Sequence, residues 1–242
     1  MKKKRTLSEI IIRLLCLLLG LYILAQGISL TVLANLGTDA ITSPALVAHL
    51  VLGNAPGGAG IEFCTVGRML ICLHVLLVLL QIVILRRQYQ PVQLLQVLMG
   101  LILGFMVDVC LSYTMLLPQP DYAASIGYTL LGCVCCSFGI FTYVKADMIP
   151  LSAEGLCLAL SRTFQWRFSR VKVAVDCIMI AVAVVVSLIM LGEVAGVREG
   201  SLICAICTGF IIGWFFRVCP MWDRLFAAVG GHKVDESSSK LS

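Results

Sequence analysis

The sequence predicts an all-α integral membrane protein with six transmembrane helices, arranged as a 3+3 inverted repeat with two short broken or re-entrant helices. Three observations support this fold class: an apolar composition, six long apolar runs and a similarity between the two halves of the chain. Hydrophobic residues make up 60% of the 242 residues and charged residues 13%, and the mean hydropathy is +1.01. Because soluble proteins average about 25% charged residues, a soluble globular domain of this size is excluded.

The apolar runs set the number of spans and the organisation of the chain. A hydrocarbon core of about 30 Å needs roughly 20 helical residues, and lipid offers backbone groups no partner outside their own helix. Six runs have this length: 10–34, 64–85, 92–117, 124–144, 171–191 and 200–219. We therefore expect a basic cytoplasmic tail at 1–9, three-helix repeats at 10–120 and 121–222, and a polar cytoplasmic tail at 223–242.

The charges between the runs predict the orientation. Most of the positive residues occur in four groups, which are Lys2–Arg5, Arg86-Arg87, the 145–172 connection, and Arg217 with Arg224. Acidic residues fall mainly in the intervening connections, at Asp39, Glu62, Asp121, Glu193 and Glu199. Because cytoplasmic loops carry an excess of Lys and Arg, we expect both termini in the cytoplasm. The first run is too long for a signal peptide, so we expect it to remain as the first span.

The two halves of the chain resemble each other. Gly20 and Gly27 match Gly132 and Gly139 at an offset of 112 residues. Further on, the matching pairs at an offset of 105 residues are Phe63 with Phe168, Val66 with Val171 and Gly104 with Gly209. With three spans in each half, the second copy must enter the membrane from the opposite side, as in the inverted repeats of secondary transporters.

Two apolar segments, 38–52 and 152–164, are too short to span. Ser43 followed by Pro44 predicts a helix start, because the hydroxyl caps free N–H groups and proline is favoured in the first turn. From Pro44 to Leu52 such a helix would be about 13 Å long. A half-helix that enters the membrane would direct its positive N-terminal end at a central anionic group. The alternative, an amphipathic connector lying flat at the interface, stays open.

The polar residues around these segments are the substrate-binding candidates. They follow the end of the first helix of each repeat or begin the short segment after it. The set comprises Asn35, Thr38, Asp39 and Ser43 in the first half, and Asp147, Ser152 and Glu154 in the second.

Ionisable residues within spans form a second group of candidates, because a charge inside the membrane is costly and often functional. Arg68 and Asp108 are expected at the same depth, either as a buried ion pair that fixes helix register or with Asp108 as a gating or proton-coupling acid. His74 is expected near mid-depth, as a neutral hydrogen-bonded imidazole or a titrating one. Asp176 lies one helical turn after Lys172, and we expect the two to pair.

Several classes of chemistry have no support in the sequence. The chain contains no Walker-A loop, no HExxH and no G-x-S-x-G motif, and we expect that the protein is not an enzyme. Most of the 12 cysteines fall in apolar runs, where cysteine behaves as a small hydrophobe. We expect no metal, no cofactor and no nucleic-acid partner.

Three motifs resemble those of the YczE/YyaS/YitT family of small bacterial multi-pass membrane proteins. They are Ala34–Pro44 (ANLGTDAITSP), Gly104–Asp108 (GFMVD) and Val197–Gly200 (VREG), within a similarity that covers most of residues 15–215. The family's turn asparagine, basic turn and helix-end aspartate correspond here to Asn35, Arg86-Arg87 and Asp108. The resemblance implies a location in the bacterial cell (inner) membrane and no particular substrate.

Together these features predict a transporter or permease for a small solute, with an anion favoured by the half-helix N-termini. The alternative is a non-transporting membrane scaffold or assembly factor, in which the polar residues at depth hold helices together. The expected partners are the lipid bilayer and the solute, and a homo-oligomer stays open.

Overall fold

The computed structural model describes residues 7–53, 58–86 and 91–218 of the 242. Within these ranges the protein contains helices and no β-strand, which confirms an all-α multi-pass membrane protein. The helices are α1 (Leu7–Ala34), α2 (Thr42–Leu52), α3 (Val66–Leu85), α4 (Leu95–Thr114), α5 (Tyr122–Lys145), α6 (Ser152–Phe164), α7 (Phe168–Leu191) and α8 (Glu199–Val218), with a 3-10 turn at Pro91–Leu94. The predicted basic cluster Lys2–Arg5, Arg87 and the tail 223–242 lie outside the described residues.

Five of these helices, α1, α3, α4, α5 and α7, are long and apolar enough to cross a membrane. The predicted sixth span corresponds to α8, in which Cys207–Val218 forms a shorter apolar stretch. Six spans therefore stay a prediction, whereas five are present by length and composition.

The central contact of the fold is an antiparallel seam between α1 and α5. At one end of the seam, Arg13 near the start of α1 donates from Nη1 to the carbonyl of Ala146, just after α5, at 2.9 Å. Further along, a methyl group on Gly27 would lie 2.6 Å from the backbone nitrogen of Cys136. The two backbones therefore touch, as small residues allow in membrane helices.

This seam has reciprocal contacts. A methyl group on Gly20 would lie 3.0 Å from the carbonyl oxygen of Gly139, and one on Gly132 would lie 3.0 Å from that of Gly27. The converse pairs, Gly27 to Gly132 and Gly139 to Gly20, are both 2.8 Å. Since Gly132 and Gly139 are the repeat equivalents of Gly20 and Gly27, each contact recurs with the halves exchanged. Such self-complementary exchange is the signature of a two-fold axis, which here relates antiparallel helices and so inverts one half relative to the other.

Other features follow the same symmetry. Helix α1 packs against α4 as α5 packs against α8, and α2 lies against α7 as α6 lies against α3. After α1 and α5 the chain turns at Asn35 (φ 51°) and Asp147 (φ 47°), which are 112 residues apart. Asn and Asp are the non-glycine residues that best tolerate this left-handed conformation, so both halves end their first helix by the same means.

The short helices α2 and α6 are enclosed by the long ones. Ser43, Ala45 and Val47 of α2 are buried, as are Ser152 and Ala153 of α6. Burial between helices favours the re-entrant hypothesis over the interfacial one, because an interfacial helix keeps one face in the headgroup region.

The predicted start of α2 was wrong by two residues. The helix begins at Thr42, and Pro44 lies within the first turn, where its missing N–H loses no bond. The free N–H groups are capped by Asp39, whose Oδ2 accepts from the backbone nitrogens of Ile41 at 3.3 Å and Thr42 at 3.4 Å. The hydroxyl of Ser43 is occupied instead with the carbonyl of Asp39 at 2.9 Å.

The two repeats differ in how closely their last two long helices pack. Helix α3 packs tightly on α4, where a methyl group on Gly100 would lie 2.6 Å from Cβ of His74 and one on Gly67 would overlap the carbonyl of Gly104. The repeat equivalent of Gly104 is Gly209 of α8, where a methyl group would meet no described atom within 4 Å. The α3–α4 contact thus has no equally close counterpart in the described part of the second half.

We expect Gly139→Leu to lower the free energy of unfolding by about 3 kcal/mol, since the side chain would overlap the backbone of α1. The matched control is Gly127→Leu on the same helix, where a methyl group would meet nothing within 4 Å. Thermal unfolding in detergent measures both variants. Equal midpoints would contradict a close α1–α5 seam.

Candidate functional site

An open cleft of about 720 Å³ lies at the end of the bundle where α1 and α4 end and α3 begins. We call it the Arg198 cleft. Its polar lining consists of Asn35, His49, Thr65, Asp108, Ser112, Glu193 and Arg198, and the remainder is largely apolar, including Leu46, Leu50, Leu111 and Met115. A volume of this size suits a small organic solute.

Hydrogen bonds hold the polar lining in place. Arg198 donates from Nη1 to the carbonyl of Asn35 at 3.3 Å and approaches the Glu199 carboxylate at 3.3 Å. Nδ1 of His49 is 2.6 Å from the carbonyl of Cys64. A carbonyl only accepts, so Nδ1 carries the proton, and in the neutral ring Nε2 is left as an acceptor.

Asp108 caps the start of α3. Its Oδ1 accepts from the backbone nitrogen of Gly67 at 2.8 Å, and its Oδ2 accepts from Oγ1 of Thr65, the N-cap residue, at 2.6 Å. The first N–H groups of a helix have no partner within it, and a carboxylate is favoured at that positive end.

The predicted ion pair between Arg68 and Asp108 was wrong. Arg68 is exposed; its Nη1 donates to the carbonyl of Phe63 at 3.1 Å, and its guanidinium lies over the Phe63 ring at 4.4 Å from the centroid. Successive helical residues point about 100° apart, so Arg68 faces away when the backbone of Gly67 faces Asp108. Arg68 is therefore not a buried charge. The two residues lie at a similar level of the bundle, but their side chains do not form a contact.

Three of the predicted substrate-binding residues meet at the start of α2. Thr38 Oγ1 and Ser43 Oγ are 3.2 Å apart, and the backbone nitrogen of Thr38 donates to the carbonyl of Gly196, a residue of the cleft lining, at 3.3 Å. Oδ1 of Asp39 and Oγ of Ser201 are buried and have no hydrogen-bond partner in the described part of the chain. This group lies directly behind the Arg198 cleft.

A second polar group surrounds the start of α6. His74 is the ninth of the 20 residues of α3, so it lies near mid-helix, and its Nδ1 is 2.5 Å from Oγ of Ser152. Gln81, two turns further along α3, donates from Nε2 to the carbonyl of Ser152 at 2.8 Å. The N-terminus of the half-helix therefore reaches the middle of the bundle.

Gln96 of α4 completes this group. A methyl group on Gly155 would lie 2.5 Å from Oε1 of Gln96 and 2.9 Å from Oε1 of Gln81, so the two amides converge over the first turn of α6. We call His74, Gln81, Gln96 and Ser152 the α6 polar cluster. Each of the four residues is at most 2% exposed.

The α6 polar cluster contains polar atoms without a partner. His74 Nε2, Gln81 Oε1 and Gln96 Oε1 are buried and form no hydrogen bond within the described residues. Leaving such a group unsatisfied costs about 1–3 kcal/mol. These atoms are the strongest indication of a place where a solute, ion or water binds. The side chain of Glu154, in the first turn of α6, is paired with that of Tyr143.

Sequence reasoning missed the two glutamines, Tyr143 and Ser201, because it searched the spans for charges and histidine. A glutamine inside an apolar run carries the same signal, since a buried amide also needs hydrogen bonds. Gln81 and Gln96 were visible in the sequence by that criterion.

The remaining candidates lie outside both groups or in local pairs. Asp147 forms the turn after α5, where its N–H donates to the carbonyl of Val144 at 3.1 Å. Asp176 accepts from Nζ of Lys172 at 2.6 and 2.8 Å, as predicted. Among the described residues, no group of three or more His, Cys, Asp or Glu could hold a metal ion.

The fold places the chain among all-α multi-pass membrane proteins with an internal inverted repeat. The chain belongs to the DUF6198 family, a family of unknown function, whose model matches residues 11–217. Searches of curated proteins and of solved structures found no match. The resemblance to the YczE/YyaS/YitT family stays a prediction.

We expect Asp108→Ala to lower the free energy of unfolding by about 2 kcal/mol, because it leaves the Gly67 N–H and the Thr65 hydroxyl without their acceptor. A double-mutant cycle with Thr65→Ala should give a coupling of about 1 kcal/mol. The matched cycle with Arg68→Ala should give a coupling within about 0.5 kcal/mol of zero. Denaturant unfolding in detergent of the native chain, the three single variants and the two double variants gives both couplings, and a larger Arg68 coupling would restore the ion-pair hypothesis.

Proposed function

We propose that the protein is a transporter or permease for a small polar solute. The observation that carries the proposal is the burial of both half-helix N-termini inside an inverted repeat. Ile41, which precedes α2, packs against the hydrophobic cluster that contains Leu77 of α3 and Ala153 in the first turn of α6. Half-helices from the two repeats thus converge on the middle of the bundle.

The two broken helices favour a centre that binds a solute. Breaking a helix at membrane depth leaves backbone groups unsatisfied, and such breaks are tolerated where they line a cavity or are buried in protein. Secondary transporters place their solute sites at the meeting point of discontinuous helices from two inverted repeats. A scaffold gains nothing from unpaired amide and imidazole atoms in its interior.

The chemistry of the α6 polar cluster supports a solute that carries an anionic or electron-rich group and a hydrogen-bond donor. The N-cap residue of α6, Leu151, has no side chain that can bond to the first turn, and the positive end of the helix dipole attracts an anionic or electron-rich group. Gln81 Oε1 and Gln96 Oε1 accept hydrogen bonds, and they suit a donor group on the same solute. The Arg198 cleft, which opens at one end of the bundle, is the entrance that this proposal assigns to the solute.

The location and orientation belong to the same proposal. Arg13, Lys145 and Arg162 lie at the end where α1 begins and α5 ends, which we call the basic end, whereas the Arg198 cleft opens at the opposite end. Because positive residues are retained on the cytoplasmic side, the basic end faces the cytoplasm of a bacterial cell and the cleft faces outward.

Transport is tested with the full-length protein reconstituted into sealed vesicles and a panel of labelled amino acids, carboxylates, inorganic anions and ammonium. For the solute taken up, we expect Gln81→Leu and Gln96→Leu each to reduce uptake about tenfold or more, since loss of one well-placed hydrogen bond costs about 1.5 kcal/mol or more. The control is Thr129→Val, which removes a buried hydroxyl of α5 that bonds only to the Ser125 carbonyl among the described atoms. No uptake of any solute, with one protein co-purifying at fixed stoichiometry, would support a scaffold instead.

Orientation is tested by labelling single introduced cysteines with an impermeant maleimide. Glu62→Cys, just before α3 at the cleft end, should react in intact cells. Gln165→Cys, in the turn between α6 and α7 at the basic end, should react only after permeabilisation. The native chain provides the background, and the reverse pattern would overturn the proposed orientation.

A further inference from the structure

Two cysteines from different helices lie in contact in the second half of the chain. Sγ of Cys133 on α5 is 2.9 Å from Sγ of Cys204 on α8, and the residues are 1% and 3% exposed. Each is the first cysteine of a C-x-x-C sequence, Cys133–Cys136 and Cys204–Cys207. The sequence alone presents these residues as small hydrophobes in apolar runs.

Neighbouring contacts hold this pair in register. One turn further along both helices, Ser137 Oγ is 3.4 Å from the carbonyl of Thr208. Beyond it, the ring centroids of Phe138 and Phe141 lie 5.2 and 5.8 Å from that of Phe215. Helices α5 and α8 therefore run parallel along a continuous seam, and the alignment of the two thiols belongs to that seam.

The second cysteine of the α5 motif points elsewhere. Sγ of Cys136 lies 3.9 Å from the carbonyl of Leu24 in the α1–α5 seam. Because the four motif cysteines do not converge and the described residues hold no cluster of three metal ligands, the geometry fits a dithiol rather than a metal centre, which needs more ligands.

We infer that Cys133 and Cys204 form a modification site, a dithiol that an apolar organic hydroperoxide oxidises to an intramolecular disulfide joining α5 to α8. One thiol sulfur attacks the terminal peroxide oxygen, the O–O bond breaks, and an alcohol leaves with formation of a sulfenic acid. The second thiol sulfur attacks the sulfenic sulfur, the S–S bond forms, and water leaves. Both sulfurs are oxidised, the hydroperoxide is reduced, and the thiol protons end in the alcohol and the water.

An uncharged hydroperoxide fits the surroundings of this pair. Both thiols are enclosed by apolar helices, so a charged oxidant would have to lose its hydration to reach them. The disulfide would also restrict α8, whose Gly200 N–H donates to the carbonyl of Leu36 at 2.7 Å. The disulfide would therefore fix α8 to α5, next to the point where α8 meets the turn after α1.

The test uses the full-length protein in lipid vesicles treated with cumene hydroperoxide. Free thiols are then blocked with N-ethylmaleimide in detergent, and the digested chain is analysed by mass spectrometry. We expect a peptide pair linked through Cys133 and Cys204 that appears on oxidation and is lost on reduction. Both thiols recovered as maleimide adducts, or either one linked to another cysteine, would overturn the inference.

Variants check the assignment. The link should be absent in Cys133→Ser and in Cys204→Ser. It should persist in Cys136→Ser, the matched control one turn away on the same helix. The decisive measurement is made on the native chain, so a variant that fails to fold does not affect the outcome.

Discussion

The backbone contact between α1 and α5 organises the whole fold. Lipid tails are as apolar as the side chains they meet, so helices associate in a membrane through close packing rather than the hydrophobic effect. Gly20 and Gly27 on one helix, and Gly132 and Gly139 on the other, remove the side chains that would hold the backbones apart. Because the contacts are reciprocal, this one seam also sets the axis that relates the two halves.

That axis decides where the half-helices point. Inversion turns the start of α2 inward from one end of the bundle and the start of α6 inward from the other. The two ends differ in chemistry, however. Around α2, Asp39 and Ser43 satisfy much of the backbone locally, whereas around α6 the side chains of His74 and Gln81 arrive from another helix.

The two repeats carry different polar and ionisable side chains at equivalent positions. Asp108 has Gly213 as its repeat equivalent, and Gly67 has Lys172, so the cap that binds α3 to α4 cannot recur between α7 and α8. The second half instead carries the Lys172–Asp176 pair and the Cys133–Cys204 contact. The two repeats therefore carry different side-chain chemistry at equivalent positions. A functional site depends on this difference, whereas the shared helix packing does not.

Five of the spans, the two short segments and the repeat could be predicted from the sequence, because hydropathy, helix length and glycine spacing are local properties of the chain. The sequence also indicated the Lys172–Asp176 pair, whose members are one turn apart. Contacts between distant groups came only from the fold: Asp108 with the start of α3 rather than with Arg68, Gln81 with Ser152, and Cys133 with Cys204. Each of these contacts depends on how two helices are rotated about their own axes. A rotation by about 100°, the angle between successive residues of a helix, would bring different side chains into contact.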